Sequence, residues 1–490
     1  MNVRWLLPMA IVSTTLMAGP PVLQPGKSPL ITIRLTFRTG AASEPAGKKG
    51  VAALTANMLT DGGTRKLTYQ QVIDALFPMA AHVDALVDQE MITFSGSTHI
   101  DNLDKYYALL RDMVLDPGWR EEDLRRLKDE AINDLQVSLR GNNDEELGKE
   151  VLYSWIYEGH PYGDHPHGRV SNIRAITMAD LKQFHKSQFT QANLTIAIAG
   201  GYPKDFPDRV KADFAKLPKG EPTVLRLPEP KRIEGRQVLM VEKKTRSVAM
   251  SMGFPISVKR GDPDYLALLV AQSCLGQHRN SGVRLFDRIR GVRGLNYGDY
   301  AYIEYFPRGM FLFEPDPNLA RQQQIFQVWI RPVEPETAHF TLRLATFELE
   351  KLYTDGLTQE EFERTRSFLS KYVNLLTRTK RAELGYAVDS AFYGIPDYNS
   401  YVKDGLARLT RDQVNAAIRK HLSPNNMKIV LVGENSAALR DKIVSNAPSP
   451  MNYNSPKPDD VVREDKVVST LPLKIPASAI KIVPADKFFE

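Results

Sequence analysis

The sequence predicts an α+β fold built from two homologous α/β units. Two observations predict the duplication. Ile31, Ile33, Leu35 and Phe37 alternate with polar residues, and Val248, Met250, Met252 and Phe254 repeat the pattern at a constant offset, 248 − 31 = 217 and 254 − 37 = 217. Later, TMADLKQFHKSQFTQANLTIAIAG from Thr177 matches TRDQVNAAIRKHLSPNNMKIVLVG from Thr410, with 410 − 177 = 233 and 433 − 200 = 233. Period-two alternation marks half-buried strands. Two constant offsets in the same order mark an internal repeat. A third observation sets the class: helices and strands mix without strict βαβ alternation, which favours α+β over a doubly wound sheet.

Along the chain, Ile31 to Phe37 reads as a strand and Thr39 to Lys49 as a loop. Gly50 to Thr64, GVAALTANMLTDGGT, reads as a short apolar helix with Val51, Leu54 and Met58 on one face and Gly62-Gly63 as its stop. Leu67 to Leu76 looks helical, Met91 to Ser95 like a strand, and Asn102 to Leu115 and Trp119 to Leu139 like amphipathic helices. Tyr153 to Asn172 is rich in His, Pro and Gly and reads as a loop. Thr177 to Phe189 is a helix and Leu194 to Ala199 a buried strand. Residues 217–236 are polar, carry four prolines and read as an extended linker. The tail from Ala447 carries seven prolines, a density that few helices or central strands tolerate, so it is expected to lie extended over its own surface or a partner's, or to be disordered.

Composition narrows the function. With 42% hydrophobic and 25% charged residues the chain can bury a sizeable core. Its net charge of +6 is spread along the chain instead of gathered in a patch with aromatics, which argues against nucleic acid. Cys274 is the only cysteine and lies in an apolar run, so no intrachain disulfide or cysteine-rich zinc site exists. Met1 to Arg4 is a charged start, Trp5 to Ala18 is mainly apolar, and Gly19-Pro20-Pro21 breaks the run. That is the layout of a secretory leader, 1–19, too short to span a bilayer. The chain is therefore expected to be exported, with the periplasm as its destination and no membrane span after leader removal.

Few motifs carry chemistry by themselves. G-x-S-x-G, the P-loop and H-E-x-x-H are absent. His160, His165 and His167 in HPYGDHPHG could bind a metal, but a Pro/Gly loop does not impose the spacing a helix would, and a structured turn whose histidines satisfy local hydrogen bonds is the favoured reading. In Ser281 to Tyr300, SGVRLFDRIRGVRGLNYGDY, a helical face runs into Arg290, Arg293, Gly294 and Tyr297. An Arg and a Tyr near a helix end can donate to a peptide carbonyl or carboxylate. Taken alone, the stretch also reads as a solvated basic helix followed by a turn.

The ordered set of the first strand, PAGKKGVAALTANMLTDGGT, the HPYG loop, the Thr-headed helix, the duplicated half and RIRGVRGLNY resembles the insulinase/pitrilysin-type metallopeptidases over residues 30 to 445. The likeness is to their processing-peptidase-like branch. Active members carry H-x-x-E-H on the helix that here is Gly50 to Thr64. Two His one turn apart bind zinc and the Glu activates its water. The resemblance places the two His positions on Ala53 and Asn57, the Glu on Ala56, and the distal ligand on Asp134, 134 − 57 = 77 residues on. Alanine offers neither ligand nor base, and an amide is a poor zinc ligand. The resemblance thus implies no metal and no catalytic residue in this chain. It also implies that Arg290 and Tyr297, 297 − 290 = 7 positions apart, hold substrate near a partner's zinc.

These readings assemble into two sandwich units, 30–216 and 237–446, joined by the linker 217–236 and followed by the tail 447–490. The expected function is that of a non-catalytic, substrate-binding subunit, inactive alone, of a heterodimeric zinc peptidase. Zinc and an intact H-x-x-E-H would lie in the partner, and peptides would be the substrates. The alternative is a structural or peptide-binding scaffold of the same fold with no peptidase partner, as the core subunits of the respiratory cytochrome bc complex are. A metal site built from Asp134 and the loop histidines is the remaining alternative.

Overall fold

A computed structural model describes residues 19–490, so the leader read at 1–19 lies, but for Gly19, outside the described residues. The first sheet contains β1 (Val22–Pro25), β2 (Leu30–Phe37), β3 (Asp84–Val87), β4 (Ile92–His99) and β5 (Leu194–Gly200). The second contains β6 (Arg236–Glu242), β7 (Val248–Ile256), β8 (Asp299–Tyr302), β9 (Gln324–Val333), β10 (Met427–Gly433) and β11 (Ile480–Pro484). Their orders are β1-β5-β2-β4-β3 and β11-β6-β10-β7-β9-β8. Without β11 the two orders correspond strand for strand, and β2/β7 and β5/β10 are the pairs that the two sequence offsets relate. The duplication is thus a duplication of topology. The first sheet begins at Val22, before the unit read at 30, and Arg236, read as the last linker residue, opens β6.

Alternation explains the sheets. Ile31, Ile33, Leu35 and Phe37 are fully buried on one face of β2, and Val248, Met250, Met252 and Phe254 repeat this on β7. Each sheet carries its own helices on one face, including Val51–Asp61 in the first half and Tyr265–Gly276 in the second. The other face receives a helix from the opposite half. Asp144–Ile156 packs on β7 and β10, and Lys380–Tyr393 packs on β5, β2 and β1. Both lent helices contain a glycine, Gly148 and Gly385, although a mid-helix glycine costs about 1 kcal/mol. At Gly385 a β-carbon would lie 2.4 Å from Pro317 Cγ, so the close approach requires the bare backbone.

Two readings change. The stretch from Tyr153 was read as a loop, yet Tyr153 belongs to the helix Asp144–Ile156. Its sequence DEELGKEVLYSWI shows no solvent face because the helix is buried on nearly all sides between the halves, and its charges are paired within the helix, Lys149 with Glu146, and across the interface, Glu145 with Arg331 and Asp144 with Lys243. The tail also is structured. It forms the helix Asp459–Val468 inside a proline-free window and then β11, an edge strand ending at Pro484. Proline is tolerated at an edge and at a strand end.

Candidate functional site

The helix Val51–Asp61 starts at Gly50, whose φ of 103° needs glycine, and its first amides are capped by a carboxylate. Glu44 Oε1 accepts from Gly50 N at 2.9 Å and Ala52 N at 2.8 Å. Burial raises the Glu44 carboxyl to about 8. The helix stops at Gly62, whose N–H donates to Met58 O. Ala53 and Asn57, one turn apart, line a cavity of about 360 Å³ together with Asp134. Asp134 stands at the start of a π-helical stretch, Asp134–Leu139, which continues the helix Glu121–Asn133. Ala56 is fully buried.

His165, His167, Glu146 and Glu150 also line this cavity, with Tyr305, Arg308 and Phe311 from the second half. Glu150 accepts from Tyr305 Oη at 2.8 Å and lies 3.7 Å from His165 Nε2. Burial pushes Glu150 up to about 7, aided by the like charge of Glu146. Burial pushes His165 well down, so the same burial disfavours the charged form of both groups. His160 faces elsewhere: its Nδ1 accepts from Tyr162 N and its Nε2 meets Pro228 O at 3.0 Å, fastening the linker to the turn. The zinc of the family does not fit this wall. A tetrahedral zinc site wants imidazole, thiolate or carboxylate donors in convergent geometry. The positions here supply a methyl, an amide and the Asp134 carboxylate, and among the described residues no group of three or more His, Cys, Asp or Glu could hold a metal ion.

Arg290 and Tyr297 lie apart from this cavity, Arg290 in the last turn of the π-helical stretch Phe286–Gly291 and Tyr297 on the turn between that stretch and β8. Arg290 Nη1 donates to Tyr297 O at 2.9 Å, and the guanidinium lies 5.2 Å from the Tyr297 ring and 4.9 Å from that of Phe286. The Tyr297 side chain is 74% exposed. The turn is pinned from below by Asn296 Nδ2, which donates to Asp299 Oδ1 at 2.6 Å and Arg331 O at 3.0 Å. Of the arginines in this stretch, Arg284 pairs with Glu361, Arg288 with Glu464, and Arg293 with Glu464 and Asp465. Among the described residues Arg290 alone of these four has no carboxylate within 4.0 Å. Its remaining N–H groups and the exposed phenol form a donor pair.

The profile described as "Insulinase (Peptidase family M16)" matches residues 24–166, and that described as "Peptidase M16 inactive domain" matches residues 175–369. The chain belongs to the insulinase (M16) peptidase family. Within it, a zinc protease of Rickettsia bellii, itself uncharacterised, is 22% identical over 81% of this chain and 93% of its own. A "Non-peptidase homolog YmxG" of Helicobacter pylori is 21% identical over 82% of this chain and 89% of its own. The alignments to mitochondrial-processing peptidase beta subunits of Arabidopsis thaliana and Neurospora crassa, each at 24% identity, span 51% and 50% of this chain and only about half of theirs, 47% and 52%. Among solved structures, a peptidase M16 inactive domain from Pseudomonas fluorescens superposes with a TM-score of 0.73 at 24% identity, covering 84% of this chain and 95% of that one. The periplasmic protease PqqL from Escherichia coli gives 0.66 at 14% identity, covering 92% of this chain and 49% of that one. These likenesses agree with the duplicated architecture.

The resemblance brought Ala53, Asn57 and Asp134 to one wall, and the loop histidines weighed with Asp134 supply His165 and His167 to it, but the wall's carboxylates Glu146 and Glu150 were missed. Glu146 and Glu150 were hidden by the unrecognised helix. The run Asp144, Glu145, Glu146 after Asn143, whose side chain accepts from Glu146 N, is an N-terminal helix signal that could have exposed it.

Proposed function

We propose that the chain is the non-catalytic, substrate-binding subunit of a heteromeric zinc metallopeptidase acting on peptides. The observation that carries this reading is the contrast between a first half whose H-x-x-E-H positions hold Ala53, Ala56 and Asn57 and a second half that leaves Arg290, among the described residues, without a carboxylate partner beside the exposed Tyr297. A partner with an intact H-x-x-E-H would supply zinc and general base. This chain's Arg290 would donate to a peptide carbonyl oxygen, and Tyr297 Oη would add a second donor. Such donors at a developing oxyanion are worth about 3 kcal/mol each. The apolar leader and the likeness to a periplasmic protease support export to the periplasm. Among the described residues no helix is long and apolar enough to cross a membrane.

The test is co-purification from the native source followed by reconstitution. The isolated chain is expected to cleave no peptide, and the mixture with an H-x-x-E-H subunit is expected to be active. Arg290→Ala with Tyr297→Phe should cut the activity of the mixture by about a hundredfold or more. Full activity of that mixture would refute the substrate role. Recovery with a membrane complex and no peptidase would favour the scaffold alternative.

A further inference from the structure

The C-terminal tail lands on the stretch that carries Arg290. Glu464 and Asp465, neighbours on the tail helix Asp459–Val468, take up two of its arginines. Glu464 accepts from Arg288 and, at 2.7 Å, from Arg293 Nη2. Asp465 Oδ1 accepts from Arg293 Nε at 2.9 Å, while its other oxygen accepts from Tyr453 Oη at 2.7 Å. The Arg293 side chain is completely buried, and its Nη1 donates to the carbonyl of Arg288 at 2.8 Å, two residues before Arg290. One guanidinium therefore ties the tail helix to the backbone that presents Arg290.

The tail is itself fastened. Arg343, with no exposed surface, donates to Leu471 O at 2.8 Å, Ala447 O at 2.9 Å and Ser469 O at 2.6 Å. Arg236 holds Leu473 O at 2.9 Å. The helix is thus anchored before and after the two carboxylates. A side chain that must meet a reacting group needs a supporting shell that locks its geometry. Here that shell comes from the tail.

We propose that Glu464 and Asp465 are positioning residues for the Arg290/Tyr297 pair, so that the C-terminal tail is part of the peptide-binding site of this chain. The proposal rests on the substrate-binding reading above. The ligand is an extended peptide, engaged through its carbonyl or carboxylate oxygens.

The experiment is an anisotropy titration of the full chain with a fluorescein-labelled random-sequence peptide pool, run beside thermal unfolding. Glu464→Gln with Asp465→Asn is expected to weaken binding about tenfold, the loss of roughly one charge-assisted hydrogen bond's worth of alignment. Val468→Ala, at a fully buried position of the same helix, is the stability-matched control and should bind as the wild type does. Equal weakening by Val468→Ala would reduce the carboxylates to a structural role and overturn the proposal. So would unchanged binding by the double variant while Arg290→Ala binds poorly. If Arg290→Ala binds as tightly as the wild type, or the wild type binds no peptide, the underlying reading fails and the positioning role falls with it. Should the double variant not fold, Asp465→Asn alone carries the same expectation at about threefold.

Discussion

The two halves share a sheet order but differ in the connection between their outer strands. In the first half β3 and β4 are joined by residues 88–91, a tight turn. In the second, β8 and β9 are joined by residues 303–323, which cross to the first half. The short turn presents Asp88, and the long connection ends in Arg321, which grips both oxygens of Asp88. Arg321 also lies 3.7 Å from the Tyr305 ring and 5.0 Å from that of Tyr153. The reverse clasp comes from the first half. Lys149 reaches into the second-half aromatics, 4.3 Å from the Trp329 ring, and donates to Phe306 O at 2.6 Å. Duplication supplied two similar sheets, and the divergence of one connection supplied the contacts that fasten them. It also covered the altered metal wall, since Pro307, Arg308 and Phe311 of the long connection line that cavity.

The largest expected effect comes from cutting the first clasp. Arg321→Ala should destabilise by about 3–5 kcal/mol, because it leaves Asp88 buried without its partner. Denaturant unfolding of Arg321→Ala, Asp88→Asn and the double variant measures the coupling, and a cycle energy near zero would mean the pair does not fasten the halves. Lys149→Met should cost about 2 kcal/mol through loss of its hydrogen bond and cation–π contact. An unchanged midpoint would show that the aromatic box packs equally well around an uncharged chain.

The cavity side of the comparison is sharpened by pH. Glu150 is raised from 4.5 to about 7, so the folded chain keeps a proton that the unfolded chain releases between those values. Its contribution to stability is therefore greatest below about 4.5, falls as pH rises through the window, and is a full penalty above about 7. Glu150→Gln should raise stability at pH 8 by on the order of 2 kcal/mol and reduce the slope between pH 5 and 7. Glu44, raised to about 8, adds slope of the same sign, whereas His165, pushed well down, adds slope of the opposite sign. Parallel melting curves for wild type and variant across that window would contradict the assignment. The smallest effect is expected at the tail's last contact. Arg140 donates to Asp486 O, Phe488 O and Glu490, and Phe489 is buried against the first half. Arg140→Ala should cost about 1–2 kcal/mol and speed proteolytic trimming of the last residues. Mass spectrometry after limited digestion reads it.

Local pattern determined much of this molecule. The alternation in β2 and β7, the Thr caps at Thr177 and Thr410, and the glycine stop after Asp61 are short-range signals, and each formed the element it announced. The loss of metal donors at Ala53, Ala56 and Asn57 is likewise a property of the chain alone, because a methyl group cannot become a ligand in any fold. What escaped were features whose residues are explained only by distant partners. The helix Asp144–Ile156 has no solvent face to give it a period, because Lys149, Glu146 and Glu150 each find a partner in the other half, at Phe306 O, the Arg308 and Met310 amides and Tyr305 Oη. The prolines of the tail suggested an extended or disordered segment and gave no sign of its helix, whereas Arg343, Arg236 and Arg140 hold its carbonyls to the chain's own surface. Which of four neighbouring arginines remains available was also a tertiary decision. The family resemblance singled out Arg290, but only folding brought Glu361, Glu464 and Asp465 to the other three, since charge pairing across more than 70 residues leaves no trace in local pattern.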